Sequence, residues 1–377
     1  MNISYSEFLE KVKDKLSWVA DEVDFVYPYS TIDGLYKNCK VTYHSWTAGF
    51  YGGIMWYMYR LTKDDKYKKT GKASGDNVDR VLKEFIEISH DLGFQFLCTA
   101  VAENIIDGDE TAKNRAIRAA TLLAGRFNPV AKYIRAWDDN PYIDGDVSKK
   151  GYAIIDCMMN LPLLYWASNE TEDPRFRQIA NIHADTVIKH FIRPDGSSNH
   201  IVDFDSETGD VVATPAGQGY AVGSAWTRGQ AWAIYGFAMA YHYTGKQEYL
   251  DTAKRVAGYF IDHMNEEYIP IDFAQPKEPA YQDTSAAAIC ACGLLEIMKY
   301  VSGDEKEFYG KCVDRLMNIL YNNCDFTKDD QAILQNCSGM YHCGQDNIHI
   351  PLIYGDFYLL EALIRLNGGD VLFYTED

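Results

Sequence analysis

The stretch RGQAWAIYGFAMAYHYTGKQEYLDTAKRVAGYFIDHM, residues 228–264, contains two helices of different character. After Arg228 the first is apolar on every side through Ala240, the pattern of a helix buried all round. Gly245 and Lys246 interrupt it. The second places Ala253, Val256, Ala257 and Phe260 at i, i+3, i+4 spacing with charge opposite, the pattern of a helix with one face in a core and the other in water. Together they form a helical hairpin with a buried inner member and a half-exposed outer member.

The same plan recurs along the chain. GFYGGIMWYMYRLTKDDKYKKTG opens it at Gly49, DLGFQFLCTAVAENIIDGDETAKNRAIRAATLLAG at Asp91, and DCMMNLPLLYWASNETEDPRFRQIANIHADTVIKHF at Asp156. DTSAAAICACGLLEIMKYVSGDEKEFYGKCVDRLMNIL follows at Asp283, and GDFYLLEALIRL from Gly355 gives a sixth inner helix. The N-terminal helix near Phe8–Val19 is available as its partner. Six hairpins with shared apolar inner faces point to an all-α chain closed into an (α/α)6 barrel. An open helical solenoid is the alternative. Strand signal is slight outside NHIVDFDSETGDVVA, residues 199–213, which reads as a β-hairpin. No linker divides residues 1–377, so the chain reads as one catalytic domain.

In a barrel of this kind the loops entering the inner helices gather at one end, and polar residues there converge. The openings are Trp46/Gly49, His90/Asp91, Asp156, Trp226/Arg228, Asp283 and Gly355/Asp356. For Asp91, Asp156 and Asp283 the plain reading is a helix N-cap. The chemical reading is a carboxylate pair: like charges and apolar neighbours favour the protonated form of one member, which suits general acid work. The run AIIDCMMNLPLLYW, residues 153–166, sets Asp156 alone among apolar residues.

Trp46, Trp137, Trp226 and Trp232 fall at loops or helix starts and are candidates for stacking on a sugar face, whereas Trp56 and Trp166 read as core. Arg228 is a lone cation heading an apolar helix, able to fork onto a carboxylate of substrate, or of Asp91 or Asp283. His200 and Gln218 lie in the irregular stretch between the third and fourth hairpins.

The composition narrows the partners. Aromatic residues make up 14% of the chain, which suits a sugar-binding cleft lined by flat rings, and the formal net charge is -18 with no basic cluster beyond KYKK around Tyr67. Nucleic acid is therefore an unsuited partner. No apolar run reaches membrane-span length, and the first residues show no leader-like segment. Nine unpatterned cysteines read as reduced thiols in the cytoplasm. No metal-ligand spacing is visible, and no metal or cofactor is expected. The oligomeric state is not legible.

The stretches SWTAGFYGGIMW, HDLGF, IIDCMMNLPLLYWA, DGSSNHIVDFD, GSAWTRGQAWAIYGFAMAY, DTSAAAICACGLLEI and YGDFYLLEALIRL, with the Asp272–Phe273 pair, together resemble unsaturated glucuronyl hydrolases, glycoside hydrolase family 88. The similarity runs from about Trp46 to Leu366. It implies a six-hairpin barrel and substrates left by polysaccharide lyases: oligosaccharides, glycosaminoglycan fragments above all, ending in a 4,5-unsaturated uronic acid. The implied reaction is hydration of the ring's vinyl ether rather than attack at the anomeric carbon. The resemblance makes Asp156 the acid that protonates C4 and then activates water, helped by its apolar surroundings, and Asp91 its partner. It places His200, Gln218, Arg228, Trp46, Trp137, Trp232 and His90 around the substrate.

One region departs from the family pattern. Between Gln331 and Gly355 there is no Lys or Arg, which favours substrates with little or no sulfate, although Asn336, Ser338 and His342 could hold one. The alternatives are the sister family acting on unsaturated rhamnogalacturonan fragments, a non-catalytic glycan-binding barrel, and a sugar epimerase. The last would need paired histidines on the inner helices, and these are not evident.

Overall fold

The computed structural model describes residues 3–23, 26–38, 41–139 and 148–374. The inner helices are α2 (Phe50–Thr62), α5 and α6 (Leu92–Phe96 and Ala102–Asp107), α8 (Leu161–Thr171), α10 (Thr227–Thr244), α12 (Thr284–Ile297) and α14 (Ile353–Leu366). Their outer partners are α1 (Tyr5–Glu22), α3 (Asp65–Val78), α7 (Glu110–Gly125), α9 (Pro174–His190), α11 (Gln247–His263) and α13 (Gly303–Asn322), with a short α4 (Arg80–Glu84) after α3. Each inner helix touches the next, and α14 returns to α2, so the ring closes as an (α/α)6 barrel rather than an open solenoid. The N-terminal helix α1 packs on α14, completing the sixth hairpin as the sequence suggests.

The two helix characters persist. Thr227 to Ala240 of α10 is buried throughout, whereas α11 buries a face that includes Ala253, Val256, Ala257 and Phe260. One core cluster runs from Phe8 to Tyr374 and includes Trp56 and Trp166. The second inner unit is interrupted by a π-helical turn, Leu97–Val101, between α5 and α6. Eight described cysteines are free thiols; Cys39 lies outside the described residues. Lys66 and Lys68 of the KYKK run pair with Asp21 and Asp107. No helix among the described residues is long and apolar enough to cross a membrane.

Strands depart from the sequence reading. The 199–213 stretch does form a hairpin, β4 (Ile201–Phe204) with β5 (Val211–Ala213). However, β4 also pairs on its other edge with β3 (Tyr152–Ile154), Ile154 facing Ile201, and β1 (Phe127–Asn128) pairs with β2 (Tyr133–Ile134). The run from Ala153 therefore begins as a strand and turns through a 3₁₀ segment, Ile155–Met159, before α8 begins.

Candidate active site

The register of β3 against β4 positions the first functional pair. Ile155 N–H donates to the His200 carbonyl at 3.0 Å, which sets Asp156 beside His200. Asp156 Oδ2 lies 3.6 Å from His200 Nε2, and neither buried atom has a hydrogen-bond partner. On the other side of the imidazole, the Gln218 N–H donates to Nδ1 at 2.9 Å. A backbone N–H can donate only to an unprotonated ring nitrogen, so the neutral ring carries its proton on Nε2, facing Asp156.

That donor reaches the ring because residue 217 is glycine. Gly217 has φ +59°, and a Cβ there would lie 1.9 Å from His200 Nδ1. Gly217→Ala is expected to displace the imidazole and lower kcat/KM by about 100-fold, the scale of a misplacement near 1 Å. Steady-state kinetics on the folded variant, monitored by circular dichroism, checks this; unchanged kcat/KM would remove the Gln218–His200 contact from the site.

Asp91 directly precedes α5, yet its side chain caps nothing. It accepts from Ser89 Oγ at 3.0 Å, and His90 Nε2 stands 3.4 Å from its Oδ1. Burial pushes its carboxyl up, the charge of Asp156 pushes the same way, and His90, Ser89 and Arg126 oppose. Asp156 caps nothing either: it sits in the 3₁₀ segment, and α8 starts later, at Leu161. Only Asp283 of the three aspartates is a true N-cap, accepting from Ser285 N–H at 3.1 Å.

A cleft of about 820 Å³ opens at this end of the barrel, walled by Thr42, Ser45, Trp46, Ser89, Asp91 and Trp137. Half-buried Trp46 leans on Phe94 and Tyr354, and Trp137 meets His90 edge-on at 6.0 Å. Phe85 adds a third ring to the wall, 70% exposed, a position sequence patterning did not single out. Asn160 was also missed. Its Oδ1 accepts the Phe94 N–H at 2.8 Å and its Nδ2 donates to the Asp156 carbonyl at 3.3 Å, tying the openings of the second and third units together. A lone amide in MMNLP was the signal available.

Four of the expected substrate residues are engaged within the protein. Arg228 is 1% exposed and bonds Asp283, the Ser338 carbonyl at 2.6 Å and the Gly339 carbonyl, so its guanidinium is spent inside the protein. Trp232 is also 1% exposed, packed on Phe94 and Tyr358; it supports the ring behind Trp46 and offers no free face. Gln218 works through its backbone, since its side-chain Nε2 donates to the Gly339 carbonyl at 2.7 Å. His90, 1% exposed, stands behind Asp91 rather than in the cleft. Of the candidate sulfate ligands, Ser338 Oγ is held by Gln282 O and His349 N–H, and Asn336 by Asn323. Asp272, quoted only in the Asp272–Phe273 pair, fixes the loop after Gln218 by accepting from Ser224 Oγ at 2.6 Å and Tyr220 N–H at 3.0 Å.

Residues 28–368 match Glycosyl Hydrolase Family 88. An unsaturated glucuronyl hydrolase of Bacillus sp. (strain GL1) is 38% identical over 350 residues, covering 91% of this chain and 92% of that protein. An unsaturated chondroitin disaccharide hydrolase of Streptococcus pneumoniae (strain ATCC BAA-255 / R6) is 33% identical over 355 residues, covering 91% and 86%. Among solved structures, the unsaturated glucuronyl hydrolase from Bacillus sp. GL1, described as responsible for the degradation of glycosaminoglycan, superimposes with a TM-score of 0.86 at 34% identity, covering 95% of both chains.

Proposed function

Because the chain belongs to Glycosyl Hydrolase Family 88, we propose that Asp91, in the wall of the aromatic cleft, together with Asp156 and His200 carries out an unsaturated glucuronyl hydrolase reaction. The enzyme is a glycoside hydrolase that removes a terminal 4,5-unsaturated glucuronic acid from lyase-generated oligosaccharides of the glycosaminoglycan type. The observation that carries the site assignment is that carboxyls from two different inner-unit openings lie close enough for the charge of Asp156 to push Asp91 up, with Asp156 beside a tautomer-fixed histidine.

The chemistry follows from the substrate. The C4=C5 bond is a vinyl ether, so a proton delivered to C4 leaves a cation at C5 stabilised by the ring oxygen. Asp156 delivers that proton and, as a carboxylate, takes one from the water that adds to C5. The C5 hemiketal opens to a ketone, and C1 becomes a hemiacetal that expels the next sugar. His200 Nε2–H orients the carboxylate and the water, and Trp46 and Trp137 stack on the sugar rings. The anomeric carbon is not attacked, so carboxylate separation says nothing of retention or inversion here.

Residues 1–377 act as one catalytic domain needing no metal or cofactor, in the cytoplasm, where the free thiols are stable. The lack of Lys and Arg across residues 331–355, with Ser338 and Asn336 internally engaged, supports unsulfated fragments as the better substrates. The test is loss of the conjugated-alkene absorbance of unsaturated disaccharides from hyaluronan and chondroitin, sulfated and unsulfated. Turnover fastest on the unsulfated set is expected. No turnover on any of them would overturn the reading.

Asp91→Asn is expected to cut kcat by about 100-fold, within the range for a lost acid–base partner. Its stability effect has a definite sign. Burial raises the Asp91 carboxyl in the folded chain, so ionising it opposes folding. That cost is absent below its unfolded value and grows as pH rises through the interval above. The variant does not carry it, so its melting temperature relative to the parent should be higher at pH 8 than at pH 4. Thermal scans at both pH values check this, and a relative loss at pH 8 would return Asp91 to a structural role.

A further inference from the structure

The chain buries a histidine that the reaction above does not use. His183 lies on the outer helix α9, fully enclosed. Its Nδ1 accepts the Ile134 N–H at 3.0 Å. The ring proton of neutral His183 is therefore on Nε2, and that buried donor has no partner. Burial pushes the imidazole down to about 3, with His90 adding in the same direction, so the ring stays neutral with a single tautomer across the working pH range.

His90 supplies the complement. Its backbone N–H donates to the Ala136 carbonyl at 2.9 Å, two residues beyond Ile134, so both histidines bond the segment 134–136, and the two rings are close enough for His90 to act on His183 electrostatically. Its Nε2 stands 3.4 Å from Asp91 Oδ1, so the tautomer with its proton on Nε2 sets an N–H beside the carboxylate. Its Nδ1 is then a bare acceptor, also buried and without a partner. One orphan donor and one orphan acceptor thus lie in neighbouring rings. Buried polar groups are seldom left unpaired, and a buried water is the usual means of joining such a donor and acceptor.

We propose that His183 is a positioning residue for the reaction: its Nε2–H is linked to His90 Nδ1 through one buried water and fixes the His90 tautomer that turns an N–H toward Asp91. The relay runs from the Ile134 N–H through His183 and His90 to the carboxyl in the cleft. The functional part rests on the reading of Asp91 given above. The other charged groups facing Asp91 are Asp156 from the 3₁₀ segment and Arg126 from the end of α7. Without the His183 donor, His90 is free to carry its proton on Nδ1 and turn a lone pair on Asp91. The carboxyl then holds its proton to higher pH.

The test is ¹⁵N spectroscopy of histidine-labelled protein together with pH–rate profiles of the parent, His183→Phe and His183→Gln. Glutamine keeps an N–H donor near the Nε2 position and serves if the phenylalanine variant fails to fold. The expected result is an Nε2–H signature for His90 in the parent and in His183→Gln, and its loss in His183→Phe. The phenylalanine variant should also show kcat lowered on the order of tenfold, as when an outer hydrogen-bond partner of a functional histidine is removed. The acid limb of its profile should move to higher pH. An Nδ1–H signature in the parent, or one unaffected by His183→Phe, overturns the relay. A changed signature with an unmoved pH profile overturns the positioning role. Failure of the underlying reading shows separately, as full activity in Asp91→Asn with the parent His90 signature intact.

Discussion

Asp156→Asn is expected to fold as the parent does and to lower kcat by about three to four orders of magnitude, roughly 4 to 5.5 kcal/mol of activation free energy. The side chain caps no helix, and its buried Oδ2 takes no hydrogen bond, so the amide, which has the same shape, removes no contact that holds the fold. It does remove the proton for C4 and the base for water together. Those are successive duties of one group, so the effect exceeds that of Asp91→Asn, whose residue never meets the reacting carbon in the mechanism above. The check is single-wavelength alkene decay at high enzyme concentration beside a thermal scan. Activity within tenfold of the parent would move the acid role elsewhere, with Asp91 the first candidate. A melting temperature lowered by many degrees would mean that Asp156 is structural.

The barrel was legible because its signal is periodic and repeated. An inner helix apolar on every side, such as Thr227–Ala240, has no stable place except between other helices, and six in series must close or expose that surface. The pairing of α1 with α14 followed from counting. The third unit was less legible. Residues 152–154 are too short to declare a strand; they become one only because residues 201–203, some fifty positions on, offer a partner edge. The aspartate pair was visible as two openings at one barrel end, but which aspartates cap helices was not. That depends on backbone N–H groups whose directions the residue types do not encode. Tertiary context also moved Trp232 from cleft to core, because Phe94 and Tyr358 cover it from other helices. His183 was hidden as one polar residue on the buried face of an outer helix, and its partner Ile134 belongs to a two-residue strand.

Arg228 makes the sharpest test of the structure against the sequence, because the two assign it different duties. As a substrate ligand its loss would raise KM and leave the fold alone. The structure instead surrounds its guanidinium with Asp283, the Ser338 and Gly339 carbonyls and the rings of Trp226 and Tyr354. Arg228→Ala strands the wholly buried Asp283 carboxylate, and breaking a buried pair in this way costs about 3 to 5 kcal/mol. For a chain of 377 residues that corresponds to an apparent melting temperature lower by about 5 °C. Arg228→Lys keeps the charge but not the fork that reaches several acceptors, so it should fall between. Activity follows by a specific route. Gly339 O also accepts from Gln218 Nε2, and Gln218 N–H holds His200, so loosening this loop disturbs the imidazole and lowers kcat more than it raises KM. Thermal unfolding and steady-state kinetics on the same preparations separate the two duties. A parental melting temperature with KM alone increased would restore Arg228 to the substrate, and with it the reading of the RGQAW cluster as a binding surface.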